Sequence, residues 1–342
     1  MFELMPLGGA VAVFAVCSVV IGLAGTRLAT TVDRIADRTG IGEAVAGAVL
    51  LGLATSLSGS VLSISAALSG RADLAMSNAV GGIAVQTLFL AVADVLYRRA
   101  NLEHAAASLG NLMQGTLLVA QMSWLLLAFA MPEWTIGHVH VVTPLLLLSY
   151  LYGVHLVRKV QDHPMWGPAR TKETREDTPD EGDDGSSRGR LFLTFALLAA
   201  VIGITGWVLE QSATIIAAGT GLGQALVGTL FTAVATSLPE LVTTIAAVRR
   251  GALTLAVAGI IGGNAFDTLF AAFSDVAYFG GSIYHAVSDS VVIWTALGVL
   301  MAAFLLMGLI RREERGPGRI GFESVFLFAL YGFGVATVVV MN

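Results

Sequence analysis

The chain has 342 residues, which on length alone would fit two or three soluble domains. Its composition excludes a soluble globular protein: hydrophobic residues make up 56% of the sequence and charged residues 13%, with a mean hydropathy of +0.79. Soluble proteins average roughly 45–50% and 25% for these two classes. The formal net charge of −5 gives no indication of nucleic-acid binding.

Long apolar runs with almost no charge predict an all-α polytopic membrane protein with ten transmembrane helices. About 20 helical residues cross the hydrocarbon core, where backbone polar groups must bond within their own segment. The runs are continuous and do not alternate in short segments, as the strands of a membrane barrel would. The predicted spans are 7–28, 42–68, 72–96, 106–131, 138–157, 190–209, 214–248, 252–274, 288–310 and 320–341.

The placement of basic residues predicts how these spans are oriented. If the amino terminus defines side one, 18 of the 19 lysines and arginines fall in loops on side two, and Arg71 is the exception. Basic loops mark the cytoplasmic face of a membrane protein. We therefore predict a multi-pass cell-membrane protein whose two termini both lie outside the cytoplasm.

The sequence repeats itself with an offset of 181 residues. Of the 44 positions in 54–97, 20 are identical to their counterparts in 235–278. Because each copy holds five predicted spans, an odd number, the second copy enters the membrane from the opposite side, an arrangement typical of secondary transporters. The predicted organisation is a first membrane repeat at 1–159, a cytoplasmic acidic linker at 160–189 and a second membrane repeat at 190–342.

Two carboxylates lie deep within predicted spans of the second repeat. Glu240 follows Pro239, and Asp267 lies one turn after Gly262-Gly263-Asn264. A charged side chain inside a membrane helix costs about 2.5–3.5 kcal/mol on insertion scales, which favours a functional role over packing. Thr236, Ser237 and Asn264 add neutral oxygens, and such hard ligands suit calcium, sodium or magnesium.

These residues resemble a known family. Thr236-Ser237-Leu238-Pro239-Glu240, followed by Gly262-Gly263-Asn264-Ala265-Phe266-Asp267, is similar to the second alpha repeat of the calcium/cation antiporters, the sodium/calcium exchangers. The resemblance covers essentially the whole chain and implies a ten-helix inverted repeat in a lipid bilayer. It implies a transporter without enzymatic activity or cofactor, whose substrates are metal cations such as Ca²⁺ and Na⁺. Glu240 and Asp267 would then be acidic ligands, with oxygens from Thr236 and Ser237.

The first repeat departs from the family pattern. After Thr55-Ser56-Leu57, the chain has Ser58-Gly59 where the family has Pro-Glu, and it has Gln86 at the later ligand position. Two carboxylates neutralise one Ca²⁺ or two Na⁺, and fewer charged ligands weaken divalent binding. Thr55, Ser56 and Gln86 would complete a more neutral shell, and Gly59→Glu is expected to strengthen divalent binding.

The sequence therefore predicts a secondary active antiporter that exchanges sodium for calcium by alternating access at a midplane site. Two alternatives stay open: sodium- or proton-coupled antiport of another cation, and a non-transporting paralogue that acts as a membrane regulatory subunit. An intramembrane enzyme is disfavoured because the chain lacks the His-Glu-x-x-His and Gly-x-Gly-Asp motifs. Asp94 and Asp275 match at the repeat offset, which would suit acids of a gate or vestibule, but we favour the interpretation that both are interfacial residues in contact with solvent.

Overall fold

The computed structural model describes residues 5–39, 55–97, 99–169, 171–172, 188–316 and 320–341. Within these ranges the regular secondary structure is helical apart from one short antiparallel hairpin, in which β1 (Thr135–Ile136) pairs with β2 (Val139–His140). The helices in chain order are α1 (Leu7–Thr39), α2 (Leu57–Leu68), α3 (Ala72–Leu96), α4 (Leu102–Ala106), α5 (Leu109–Ala130), α6 (Val142–Asp162), α7 (Arg188–Thr220), α8 (Gln224–Thr236), α9 (Leu238–Arg250), α10 (Leu253–Asp267), α11 (Leu269–Ala277), α12 (Asp289–Arg311) and α13 (Phe322–Met341).

Seven helical segments among the described residues are long and apolar enough to cross a membrane: α1, α3, α5, α7, α10 with α11, α12 and α13. The bent pair α8–α9 makes an eighth if it counts as one span. Two predicted spans, 42–68 and 138–157, are not among these segments. The structure describes the span at 42–68 only from residue 55 onward, where α2 has 12 residues, and α6 ends in a charged turn with Lys159 and Asp162.

The predicted boundary between the sixth and seventh spans was wrong. We placed the end of the sixth span at residue 209, but α7 continues to Thr220 and the chain turns at Gly221, whose φ is +74°. Glu210 therefore lies inside a helix, where it is fully buried. Its charge does not end the helix because Arg71 forms an ion pair with it.

Corresponding helices of the two halves begin 181 positions apart, the same offset as in the sequence repeat. α1 and α7 each have 33 residues and start 181 positions apart, and they pack along each other. α3 and the α10–α11 segment each have 25 residues and also start 181 positions apart. These two segments are mostly buried, whereas α1 and α7 expose large apolar side chains such as Val16 and Leu197. Such exposed apolar faces suit contact with lipid.

The helix pair α8–α9 is broken within the motif at 236–240. α8 ends at Thr236 and α9 restarts at Leu238 with a bend of 46°, because Pro239 in the first turn of α9 cannot donate a backbone hydrogen bond. Residues Val227–Thr232 of α8 are π-helical, a form frequent at functional sites. Ser56 precedes α2 with nearly the same backbone angles as Ser237, although no proline follows it.

Candidate functional site

The two predicted carboxylates share one buried region. Glu240 lies in the first turn of α9 and Asp267 is the last residue of α10. Glu240 is 4% exposed and Asp267 is 1% exposed, and the charge of Asp267 acts on Glu240. The broken helices thus bring together the acids that the sequence singled out, away from lipid. Their role as cation ligands stays a prediction.

Asp267 is held by both halves of the chain. Ser56 donates its hydroxyl to Oδ1 at 2.5 Å, and Gln86 donates Nε2 to Oδ2 at 2.7 Å. The same Gln86 nitrogen donates to Ser237 Oγ at 3.1 Å. Three of the predicted neutral residues therefore gather around this carboxylate. Hydrogen bonds from neutral donors stabilise an ionised carboxylate without neutralising its charge.

Several acceptor oxygens in this region have no hydrogen-bond donor in the described ranges. Glu240 accepts a hydrogen bond from Thr55, but its Oε2 has no partner among the described residues. Gln86 Oε1 and Asn264 Oδ1 are likewise buried and without a partner in the described part of the chain. An unsatisfied buried acceptor costs about 1–3 kcal/mol, and a bound cation would remove that cost. The donor set therefore fits a cation that prefers oxygen ligands.

The structure places the other two predicted residues beside this region in different ways. Thr236 uses its hydroxyl proton within its own helix, on Thr232 O at 2.9 Å, while its carbonyl oxygen accepts from Ser58 Oγ at 3.2 Å. Asn264 donates Nδ2 to Thr87 Oγ1 at 2.9 Å. Both residues therefore connect the two halves, and within the described part of the chain neither bonds to Glu240 or Asp267.

Phe270 occupies the space beside Gly59. A Cβ added at Gly59 would lie 2.7 Å from Phe270 Cε2, so a larger side chain requires the ring to move. Phe270 is buried at 3% exposure and has little room to do so. The first half thus lacks the acid that the family pattern has at position 59, and an aromatic ring from the second half occupies the space beside it. This ring is a steric obstacle to the Gly59→Glu expectation.

Sequence reasoning missed Asn78. Its amide nitrogen donates to Gly59 O at 3.3 Å and to Ser63 Oγ at 3.0 Å, while its Oδ1 lies 3.4 Å from Thr236 Oγ1. Asn78 and Gln86 lie on one face of α3, eight residues apart, with Gly82 between them. The four-residue spacing of Asn78, Gly82 and Gln86 in the sequence would have predicted that Asn78 lies on the same helix face as Gln86.

An ion pair between Arg71 and Glu210 also escaped the sequence analysis. Arg71 precedes α3, and its guanidinium contacts the buried Glu210 carboxylate of α7. Glu210 further accepts from Ser65 Oγ at 3.3 Å and Gln211 Nε2 at 2.5 Å. The signal was available, because Arg71 alone among the basic residues falls on its predicted side.

The interpretation of Asp94 and Asp275 as solvent-contacting residues was wrong, because both are fully buried. Asp94 accepts hydrogen bonds from Leu102 N at 2.7 Å, Gly321 N at 2.9 Å and Ser324 Oγ at 2.8 Å. Asp275 accepts them from Ile283 N at 3.0 Å, His140 N at 2.8 Å and Thr143 Oγ1 at 2.6 Å. Corresponding donors differ by 181 positions in every case. Each Asp organises a loop of its own half and the start of a helix in the other.

Comparison with known proteins identifies curated relatives among transporters and membrane proteins. The chain is 27% identical to "Putative antiporter CaxA" of Alkalimonas amylolytica over 304 residues, which cover 87% of this chain and 89% of that protein. It is 26% identical to "Inner membrane protein YrbG" of Escherichia coli (strain K12) over 242 residues, 70% of this chain and 71% of that protein.

Solved structures of two exchangers share the fold. The H⁺/Ca²⁺ exchanger CAX superposes with a TM-score of 0.69 at 13% identity, over 97% of this chain and 86% of CAX. The sodium-calcium exchanger NCX_Mj superposes with a TM-score of 0.59 at 16% identity, over 96% of this chain and 98% of NCX_Mj. The sequence itself matches the family described as "Sodium/calcium exchanger protein" over residues 9–160 and 190–340. The chain therefore belongs to this family, whose members are secondary transporters and not enzymes.

Proposed function

We propose that the chain exchanges cations across the membrane by alternating access, with Glu240 and Asp267 as the acidic ligands and Ca²⁺ and Na⁺ as the exchanged ions. The observation that carries this proposal is the pairing of two buried carboxylates with acceptor oxygens that have no donor among the residues that the structure describes. Oxygens from Thr55, Ser56, Gln86, Thr236, Ser237 and Asn264 would complete the shell.

The charge of the site favours antiport over one-way transport of a single cation. Two carboxylates carry −2 when ionised, and an isolated charge in a low-dielectric region is costly. The site is therefore stable when one Ca²⁺, two Na⁺ or two protons neutralise it, and unstable when it is empty and ionised. A carrier that can reorient only when neutralised must return with another cation. Such obligatory return is the basis of antiport.

The proposed architecture is ten spans in two inverted five-helix repeats, 1–159 and 190–342, joined by the cytoplasmic linker 160–189. The paired helix lengths and the matching hydrogen bonds of Asp94 and Asp275 support it. Two similar halves can exchange conformations at nearly equal energy, which would open one site to either side. The eight residues named for the site are all 5% exposed or less, as expected of an occluded state.

Proton coupling is a second candidate for the driving ion. It is favoured by the small number of charged ligands and by the site's neutral shell of hydroxyl and amide groups. A site with two acids can take up two protons in place of one Ca²⁺ and keep the same charge. The non-transporting alternative draws its support from Phe270, which fills the place of the missing acid beside Gly59.

Transport into proteoliposomes tests these possibilities. We expect radiolabelled Ca²⁺ uptake when Na⁺ is placed inside the vesicles, and uptake driven by an outward proton gradient would identify H⁺ as the coupling ion. Glu240→Gln and Asp267→Asn should each abolish uptake. Glu133→Gln, in an exposed carboxylate that accepts a hydrogen bond from Ser282 N at 2.9 Å, serves as the control with unchanged uptake.

Two results would contradict the proposal. Full uptake in both Glu240→Gln and Asp267→Asn would remove these acids from the mechanism. Absence of uptake under every imposed gradient, in protein that elutes as a single folded species, would favour the regulatory subunit.

A further inference from the structure

A second group of buried acids lies away from the site described above. Asp94, Glu103 and Glu323 each place a carboxylate oxygen within 4.8 Å of the other two. Asp94 is eight residues further along α3 than Gln86, or about 12 Å at 1.5 Å per residue. These three residues, called the acid cluster below, join the end of α3, the short helix α4 and the start of α13.

Glu103 points into this cluster and meets the Glu323 carboxylate there. Its side chain is 1% exposed, and no hydroxyl, amide or basic side chain among the described residues donates to its carboxylate. Burial raises the pKa of Glu103, and the negative charges of Asp94 and Glu323 raise it further. Two carboxylates that are buried against each other without a positive partner side chain among the described residues need either a shared proton or a metal ion.

Two glycines leave room for the third acid. A Cβ at Gly308 would lie 2.6 Å from Glu323 Cγ and 2.9 Å from Oε2, and a Cβ at Gly321 would collide with the Glu323 carboxylate. The Glu323 side chain thus folds back over two positions that accept no larger residue. Its carboxylate is held in the cluster by the shape of the backbone.

The opposite end of the bundle provides an internal comparison. Asp275 accepts the same three kinds of hydrogen bond as Asp94, so one carboxylate suffices to organise this type of loop. At the positions that correspond to Glu103 and Glu323, the chain has Tyr284 and Val142. The two additional acids are therefore not required by the shared loop structure, and they call for another explanation.

Oxygen geometry fits a divalent cation. Ca²⁺ binds carboxylate oxygens at 2.3–2.6 Å, so two of its ligands lie at most about 5 Å apart. The acid cluster meets this limit for three residues. Asp94 can still contribute, because a carboxylate has about four acceptor positions and three are used.

We propose that Asp94, Glu103 and Glu323 form a second binding site for Ca²⁺ or a similar oxygen-preferring divalent cation, separate from the exchange site. A cation there would tie α4 to the segment before α13, where Asn101 already bonds to Glu313 O at 2.8 Å. The start of the acidic linker lies close by, since His104 Nε2 contacts Thr171 Oγ1 at 3.1 Å. Occupancy would therefore stabilise the region where the linker leaves the membrane bundle.

Equilibrium binding of radiolabelled Ca²⁺ to the purified full-length protein tests this site. The background is Glu240→Gln with Asp267→Asn, which removes both exchange-site acids, so the result does not depend on whether the proposed exchange occurs. We expect about one Ca²⁺ per chain to remain bound. Adding Glu103→Gln or Glu323→Gln should weaken this binding at least tenfold, whereas adding Glu133→Gln should leave it unchanged.

A shared proton between Glu103 and Glu323 is the competing explanation. It predicts that the background protein binds no Ca²⁺ and that Ca²⁺ does not raise its unfolding midpoint, and this result would overturn the proposal. The midpoint measurement needs no substitution in the acid cluster, so a variant that fails to fold does not prevent the test. Ca²⁺ binding that persists unchanged in both Glu103→Gln and Glu323→Gln would also overturn it.

Discussion

Gln86 donates a hydrogen bond of 2.7 Å to Asp267, and the two residues are counterparts at the 181-residue offset. Ser56 and Ser237 are counterparts as well, and each bonds to the opposite member of this pair. Equivalent positions of the two halves therefore meet one another. At this meeting point one half supplies an acid and the other an amide, so the pair attracts where two carboxylates would repel.

Replacing Gln86 with methionine should impair cation binding strongly. The change keeps the side-chain length but removes the donor to Asp267 and Ser237 and the Oε1 atom that has no partner in the described chain. Loss of a hydrogen bond to a charged group costs about 1.5–3 kcal/mol, so we expect at least a tenfold loss of apparent Ca²⁺ or Na⁺ affinity. Flux measured against cation concentration in proteoliposomes provides the value.

Gln121→Met is the matched control for this substitution. Gln121 is also fully buried in a helix and donates to Ser149 Oγ at 3.2 Å, but it lies on α5 and contacts neither acid. It should retain the parental affinity. Equal affinity in Gln86→Met and the parent would show that the amide is a packing element and not a part of the site.

Gly59→Glu should strengthen divalent binding only if Phe270 is also reduced in size. Alone, the new side chain meets the Phe270 ring, and overpacking of this kind costs about 1–3 kcal/mol of folding stability. With Phe270→Leu the carboxylate gains space, and a third acid should raise Ca²⁺ affinity about tenfold or more. Calorimetric Ca²⁺ titration of both single variants and the double variant measures the effect.

The Phe270→Leu variant alone controls for the loss of the ring and should bind Ca²⁺ like the parent. If the double variant folds but gains no affinity over Phe270→Leu, position 59 does not face the cation, and the first half is organised differently from the family pattern.

Much of the candidate site could be predicted from the sequence because the residues that indicate it are neighbours along the chain. Pro239 next to Glu240 predicted a break and an acid at one place, and the structure has both. The turn at Ser56 could not be predicted, since no proline follows it, yet its backbone angles resemble those of Ser237. Asp94 was misinterpreted for a related reason: its donors, Gly321 and Ser324, lie in the other half of the chain.

The ion pair of Arg71 and Glu210 should show strong coupling in a double-mutant cycle. Arg71→Met leaves the Glu210 carboxylate buried without its positive partner, which typically costs about 3–5 kcal/mol. Glu210→Gln leaves the more exposed arginine and should cost less. The double variant should recover part of the loss, as measured by unfolding midpoints in detergent. Additive effects of the two substitutions would show that the pair contributes little.

Cysteine labelling in cells tests the proposed orientation, in which both termini lie outside the cytoplasm. Cys17 is the single cysteine of the chain and is buried, so Cys17→Ala provides a background without a reactive thiol. Ser69→Cys, in the exposed turn between α2 and α3, should react with an impermeant maleimide on intact cells. Lys159→Cys, exposed near the end of α6 beside Arg158, should react only after permeabilisation, because basic segments stay in the cytoplasm. The reverse pattern of labelling would place both termini inside and would invert the side on which the linker and the acid cluster lie.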